Sequence, residues 1–317
     1  MASYINSETG ELFEDAFLIT KEQKIAREKY KENREQVEAF KFLTKKEQFV
    51  MYLFNIHKSM TDLTPQTAIR LVYLSTFLEY DGAFLKSNGK YITREKMQEL
   101  MVLKPTTFKS FLSEVVLNGY LIKENKMYKL NTKHFYRGEL SLDYSDKKQR
   151  YVRVYIDNLR KLYLSVPQSK HVYLGYIFQL IPYINREWNV ICYNPDETAE
   201  DTILPMSVGD FCELVGYKRS QASRFIKAYR DVKFEWNGAN QSFLGYFYSG
   251  DGSKADMMFF ANPNIFFAGN DFNRVKILKI AFTNNKGQTV PKLKTTHGVD
   301  DLNFSENLEL YKKTERR

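Results

Sequence analysis

Residues 211–226 read FCELVGYKRSQASRFI and have the pattern of two short helices joined by a tight turn. Ser207 can cap a helix that runs to Val215, because a serine oxygen accepts a hydrogen bond from a free N–H of the first turn. Gly216 follows, where the end of a helix needs a residue that tolerates the left-handed backbone conformation. Ser220 can then cap the next helix, so the stretch predicts a helix-turn-helix.

The second of these helices has two unlike faces. An inner stripe repeats at helical spacing, and it consists of Ala222, Phe225, Ile226 and Tyr229. From Lys218 to Arg230 the chain has five basic residues and no acidic one. A helix that packs through one face and offers hydrogen-bond donors on the other suits DNA recognition, and the alternative is an ordinary helix pair with a solvated basic face. The predicted DNA-binding residues of this segment are Lys218, Arg219, Ser220, Gln221, Ser223, Arg224, Lys227 and Arg230.

An internal duplication relates this segment to an earlier one. Ile92-Thr93 aligns with Met206-Ser207 at an offset of 114 residues, and the apolar positions that follow coincide. Farther on, MYKLNTKHFYRG (127–138) aligns with MFFANPNIFFAG (258–269) at an offset of 131. Two aligned blocks in the same order predict a true repeat, whose second copy holds 17 more residues between the blocks.

The first copy predicts a weaker helix-turn-helix. Thr93 can cap a helix over 94–101, and Thr106 can cap the next one. Val102 stands where the second copy has Gly216, so a different turn is expected. Either this copy contacts DNA or it is a dimerisation or scaffolding module. Its candidate DNA-binding residues are Lys104, Thr106, Thr107, Lys109 and Ser110.

Each copy is followed by a candidate β-hairpin, which in a winged-helix domain would be the wing. In the first copy, residues 120–123 and 127–130 flank a short turn, and in the second, residues 243–248 and 257–261 flank a longer loop. Lys254 in that loop could contact the phosphate backbone or the minor groove. A long solvated hairpin is the alternative.

These elements predict a helix-rich α+β protein with two tandem winged-helix domains. We expect an arm and a charged helix over 1–39, a first module over 40–145, a second over 146–282 that is the main DNA reader, and a loose tail over 283–317.

Within the modules, residues 40–59 are apolar at helical spacing, and Pro65 begins another helix. A hairpin is expected over 83–92. The basic stretch 147–161, with a strand at 151–156, is expected to join the modules, and a helix follows from about Pro167.

Composition narrows the class of protein. The net charge of +9 favours a polyanionic partner. The two cysteines, Cys192 and Cys212, lie in apolar stretches and are interpreted as buried thiols, and no Cys/His spacing predicts a metal site. No catalytic motif and no cofactor-binding motif is present, so we expect no enzyme, no cofactor and no metal.

The start of the chain lacks the pattern of a signal peptide, and the longest apolar run is too short for a bilayer, which needs about 20 residues. We therefore expect a cytoplasmic protein, associated with the bacterial nucleoid through DNA, that does not bind a membrane.

The sequence resembles the winged-helix replication proteins of Firmicute plasmids and phages, of the RepL type. The matching pieces are YINSETGELFED, YVRVYIDNLRKLYLS, the helix-turn-helix and ANPNIFFAG, and the best match covers residues 151–269. The resemblance implies binding of double-stranded DNA at a replication origin and recruitment of host replication proteins. This chain is much longer than the family pattern and carries a second module.

Three functions stay open from the sequence. They are an origin-binding initiator, a transcriptional regulator of a phage or mobile element, and an architectural protein that coats DNA. Two modules on one chain would bind one continuous site with elements spaced by about 10 base pairs or a multiple. Whether the chain also forms a homodimer is open.

Overall fold

The computed structural model describes residues 4–5, 9–10, 12–13, 20–27, 30, 48–55, 60–138, 149–199, 202–236, 238–248, 257–269 and 282. The chain divides into two compact units, residues 1–43 and 44–317. In the first unit, β1 (Tyr4–Ile5) pairs antiparallel with β2 (Leu12–Phe13), and residues 21–27 form helix α1. The Thr20 hydroxyl accepts from the Gln23 N–H while the Gln23 side chain accepts from the Thr20 N–H, which is a capping box. The predicted tail over 283–317 lies outside the described residues.

The second unit is built around a four-stranded antiparallel sheet. Its strands are β3 (Phe49–Asn55), β8 (Phe135–Tyr136), β9 (Gln149–Tyr155) and β14 (Phe266–Phe267), in the order β14-β9-β3-β8. β8 and β3 come from the first predicted module and β9 and β14 from the second. One sheet therefore joins the two predicted modules, and the boundary at residue 145 falls between its strands.

Three helices followed by a last hairpin occur in the same order on both sides of this sheet, and each side also has elements that the other lacks. On the first side the elements are α2 (Pro65–Ser75), β4 (Lys86–Ser87), β5 (Lys90–Tyr91), α3 (Arg94–Met101), α4 (Pro105–Leu117), β6 (Leu121–Glu124) and β7 (Met127–Leu130). On the second side they are α5 (Ile156–Ser165), α6 (His171–Gln179), α7 (Val208–Leu214), α8 (Ala222–Arg230), β10 (Lys233–Trp236), β11 (Ala239–Ser242), β12 (Leu244–Tyr248) and β13 (Met257–Ala261). The α+β class is confirmed, as are the helix from Pro65 and the hairpin over 83–92.

The predicted helix over 40–59 is wrong for the part that the structure describes, because residues 49–55 form the strand β3. β3 pairs with β8 on one side and β9 on the other, and its residues 50–54 are buried. A strand covered on both faces is apolar at nearly every position, so it matches a helical spacing by chance. Aromatic and β-branched residues favour the strand.

The stretch 147–161 is not a linker where the structure describes it. Residues 149–155 form β9, in which Arg153 is only 4% exposed and donates to the carbonyls of Ala268 and Gly269. Residues 156–165 form α5, whose inner face carries the buried Leu159, Leu162 and Tyr163. The many basic residues of this stretch led to its interpretation as a connection, although its apolar residues have helical spacing.

The duplication has structural counterparts at both aligned blocks. Thr93 and Ser207 cap α3 and α7, each by accepting from the N–H three residues on. In the first copy, the Asn131 side-chain amide donates to the Gly119 carbonyl just before β6, and its side-chain oxygen accepts from the Lys133 N–H. In the second copy, the Asn262 side chain makes the equivalent bonds to the Ser242 carbonyl just before β12 and from the Asn264 N–H. The second copy has an additional hairpin, β10–β11. The dipeptide Asn237-Gly238 is a sequence signal for this hairpin, which the sequence analysis missed.

Among the described residues, no helix is long and apolar enough to span a bilayer.

Candidate nucleic-acid interface

The turn between α7 and α8 has the conformation that the sequence predicts. The Ser207 hydroxyl accepts from the Asp210 N–H at 3.3 Å and begins α7, and Gly216 has φ +72° after it. The prediction that Ser220 caps α8 is wrong. Residues Arg219–Gln221 form a 3-10 turn that leads directly into α8, and Gln221 is the N-cap without a side-chain cap bond.

Aromatic packing fixes the orientation of α8. Its predicted inner stripe is confirmed, since Phe225, Ile226 and Tyr229 are buried and Ala222 packs against the core. The Phe225 ring lies 4.8 Å from the ring of Phe211 in α7, and the Tyr229 hydroxyl donates to the Tyr173 carbonyl at 2.5 Å. These rings fill the core between helices rather than forming an exposed stacking surface.

The opposite face of α8 is exposed to solvent. Ser223, Arg224 and Lys227 of α8 have exposed side chains, as do Lys218 and Gln221 just before the helix begins. We call these five residues the α8 outer face. Ser220 is also exposed, whereas the side chain of Arg230 and all of Lys254 lie outside the described part of the structure. The α8 outer face thus combines two lysines and one arginine with an amide and a hydroxyl.

The charge of Arg219, another predicted contact residue, is engaged within the protein. Its Nη1 lies 3.1 Å from Oδ1 of Asp210 and 3.4 Å from Oε1 of Glu213. The Asp210 side chain is only 12% exposed. We therefore assign Arg219 to joining the 3-10 turn to α7, whereas the α8 outer face carries exposed positive charge.

The first helix-turn-helix has the same turn as the second, contrary to expectation. Thr93 caps α3 by accepting from the Lys96 N–H, as predicted. Val102 ends α3 with φ +54° and ψ +41°, the left-handed conformation that Gly216 has in the second copy. A β-branched residue is a rare outlier there, so the surrounding contacts must determine the turn.

Those contacts come partly from the second half of the chain. The Tyr73 hydroxyl donates to the Leu100 carbonyl at 2.9 Å, and the Tyr163 hydroxyl donates to the Met101 carbonyl at 3.2 Å. The Gln168 side-chain amide donates to the Val102 carbonyl. Carbonyls at a helix C-terminus lack intrahelical partners, so these donors stabilise the turn and hold Val102 in place. Tyr163 and Gln168 therefore position the first helix-turn-helix.

The second helix of this copy, α4, has a mostly neutral outer face. Its N-cap is Lys104 with Pro105 in the first turn, so the prediction that Thr106 is the cap is wrong. The predicted inner residues Phe108 and Phe111 are buried, and Leu112 packs partly buried against the core. The α4 outer face is exposed at Lys104, Thr106, Lys109, Ser110 and Ser113, and half-buried at Thr107.

Glu114, the one acidic residue of α4, is directed inward. Its carboxylate accepts from the Thr64 N–H and from the Thr67 hydroxyl, both at 2.5 Å, at the start of α2. It therefore joins α4 to α2 and adds no negative charge to the α4 outer face.

A hairpin follows each helix pair, as predicted. In the first copy, β6 pairs with β7, and Lys123 and Lys126 are exposed beside its turn. In the second copy, β12 pairs with β13, while the loop 249–256 lies outside the described residues. Phe259 of β13 packs on Phe211 of α7 with a ring separation of 5.8 Å, so this hairpin is attached to the helix pair.

Thiol chemistry is absent from this surface. Cys192 and Cys212 are both buried, as predicted, and burial raises the pKa of Cys212 to about 12. The described residues contain no cluster of His, Cys, Asp and Glu side chains that could hold a metal ion.

Comparison of the chain with protein-family models, with curated proteins and with solved structures found no match.

Proposed function

We propose that this protein binds double-stranded DNA sequence-specifically through two winged helix-turn-helix units, of which the second is the main reader. The observation that carries this proposal is the α8 outer face. Its side chains are exposed while the opposite face of the same helix is fixed by Phe225 and Tyr229. Such a rigid helix with donors on one side suits insertion into a major groove.

The residues of the α8 outer face divide by chemistry. Gln221 and Arg224 can make paired hydrogen bonds to adenine and guanine edges, so we assign base reading to them. Lys218 and Lys227 carry point charges on flexible stems, which suits phosphate contacts. We assign Arg230 and Lys254 to phosphate contacts as well, from their charge and position in the sequence.

Selection of binding sites from random DNA tests the proposal. The full chain should enrich one motif, and Gln221→Ala should change the preferred base at a position of that motif, at a cost of about 1–3 kcal/mol on the original site. Binding of DNA without selection of any motif would instead support the architectural, DNA-coating role.

The biological role we propose is initiation of plasmid or phage replication, with recruitment of host replication proteins. It rests on the resemblance to replication proteins and on the absence of any catalytic motif in the sequence. Mapping of bound DNA in the native host tests it. Repeated sites beside an origin are expected, whereas a single site overlapping a promoter would identify a transcriptional regulator.

A further inference from the structure

The four-stranded sheet relates the two copies by an approximate two-fold axis. Tyr52 of β3 pairs with Phe135 of β8, and Val154 of β9 pairs with Phe266 of β14. The Leu53 N–H donates to the His134 carbonyl in the first copy, and the Tyr155 N–H donates to the Ile265 carbonyl in the second. The edge strands are therefore attached to the central strands in the same register in both copies.

The central pair of strands has the register that such an axis requires. By the correspondence above, Met51 of β3 is equivalent to Arg153 of β9, and these two residues are paired directly with each other. Exchange of the copies therefore maps the β3–β9 ladder onto itself, with the Met51–Arg153 pair at its centre. In an antiparallel ladder, such an axis is perpendicular to the sheet.

Helices α2 and α6, which precede the two helix-turn-helix units, pack on each other across this axis. The contact is close, because a Cβ atom at Gly175 of α6 would lie 1.8 Å from the Pro65 carbonyl oxygen of α2. The Gln179 side-chain amide donates to the Met60 and Leu63 carbonyls at 3.0 and 2.8 Å. The two units are thus joined through a buried junction, not through a flexible linker.

We infer that a single copy of this chain recognises a bipartite DNA site whose two halves have inverted polarity. This inference rests on the proposed DNA binding and adds the geometry of the site. A two-fold rotation reverses the component of a helix direction that is perpendicular to its axis, so two readers related in this way run in opposite directions along DNA, whereas a translation along DNA would leave the directions equal. Two-fold related readers match inverted half-sites, as in symmetric dimers.

The inverted polarity is hidden in the natural site because the two readers carry different side chains. The offset of 114 residues places Thr107, Ser110 and Ser113 of α4 at the positions of Gln221, Arg224 and Lys227 of α8. The bases read by α4 therefore differ from those read by α8. The selected site should consist of one strong half and one weak half with no palindrome.

The relative orientation of the two half-sites can be tested by transferring the side chains of the α8 outer face to α4. The variant carries Thr107→Gln, Lys109→Ser, Ser110→Arg and Ser113→Lys. All four positions are exposed or half-buried, so the core is unchanged. Selection from random DNA should return the strong half-site followed by its inverted copy, bound about 10-fold or more tightly than by the unmodified chain. A direct repeat, or an unchanged motif, would overturn the inference.

A second measurement needs no new specificity. A DNA-cleaving reagent is attached to the full chain at Thr106→Cys and Ser220→Cys together, or at Ser113→Cys and Lys227→Cys together. The native cysteines are buried and do not compete for the reagent. Each doubly labelled variant cleaves DNA at two centres. If a two-fold axis relates the readers, the two variants have the same midpoint between their centres but different distances between them. Equal separations with shifted midpoints would indicate a translation and overturn the inference.

The two proposals fail in different ways. If the unmodified chain enriches no sequence and shows no affinity for DNA, the proposed function fails. If it enriches one strong half-site and both label pairs cleave only at the α8 end, DNA binding holds and the two-fold arrangement is overturned.

Discussion

The two helix-turn-helix units use the same backbone and differ in what holds it and in what it displays. In the second unit the turn residue is Gly216, which adopts a positive φ without steric cost, and the α8 outer face is basic. In the first unit the turn residue is Val102, and donors from Tyr163 and Gln168 hold the turn in place. A local signal thus specifies one turn, whereas tertiary contacts specify the other.

The largest expected effect concerns separation of the two halves. A fragment of residues 1–145 lacks β9, α6 and the donors Tyr163 and Gln168, so β3 and α2 lose their main partners. We expect it to show no cooperative thermal unfolding by circular dichroism, whereas the full chain unfolds cooperatively. Mixing it with a fragment of residues 146–317 is the control, since reassembly should restore the transition. A cooperative transition in 1–145 alone would mean that the modules fold independently.

The next largest effect concerns the outer faces. Arg224→Ala should weaken binding of the selected site by about 10-fold to 100-fold, because a paired contact to a base is lost. Lys227→Ala should lower the slope of log affinity against log salt by about one unit, because one phosphate contact is lost. Lys109→Ala on α4 is the matched control and should have a smaller effect. Equal losses from α4 and α8 in a titration would contradict the assignment of α8 as the main reader.

A reciprocal exchange of the turn residues tests how each turn is held. Gly216→Val should lower the free energy of unfolding by about 1–2 kcal/mol, because the left-handed conformation is strained for valine and no neighbour blocks the side chain. Val102→Gly should relieve that strain and raise stability. The gain should be only a few tenths to about 1 kcal/mol, because glycine loses more chain entropy on folding and this loss offsets part of the relieved strain. Denaturant titration measures both. If Val102→Gly were destabilising, the valine side chain itself would be stabilising the turn.

The smallest expected effect is a dependence of the free energy of unfolding on pH, caused by the buried His171. His171 is 1% exposed, and burial holds its pKa below the ordinary value of a histidine. The unfolded chain then binds a proton more readily than the folded one, so stability is fully present above about pH 6.5 and falls as the pH drops below it. His171→Gln should flatten this part of the profile of unfolding free energy against pH. An unchanged slope would assign the acid sensitivity to other groups, of which His134, with a pKa also lowered by burial, is one.

Features that depend on neighbours along the chain could be predicted from the sequence alone. The caps at Thr93 and Ser207, the turn at Gly216 and the inner stripe of α8 all follow from residues within one or two helical turns. The alignment of Asn131 with Asn262 also matches two positions whose side chains make equivalent hydrogen bonds. Local hydrogen bonding and helical periodicity suffice for each of these.

Features that depend on distant partners could not be predicted from the sequence and follow from the fold. Residues 49–55 are a strand because β8 and β9 cover both of its edges, although their spacing also fits a helix. The basic residue Arg153 is buried because the carbonyls of Ala268 and Gly269 accept from it. Val102 adopts a left-handed turn because partners more than 60 residues away hold the end of α3. In each of these cases, the free energy comes from contacts that no short window of sequence contains.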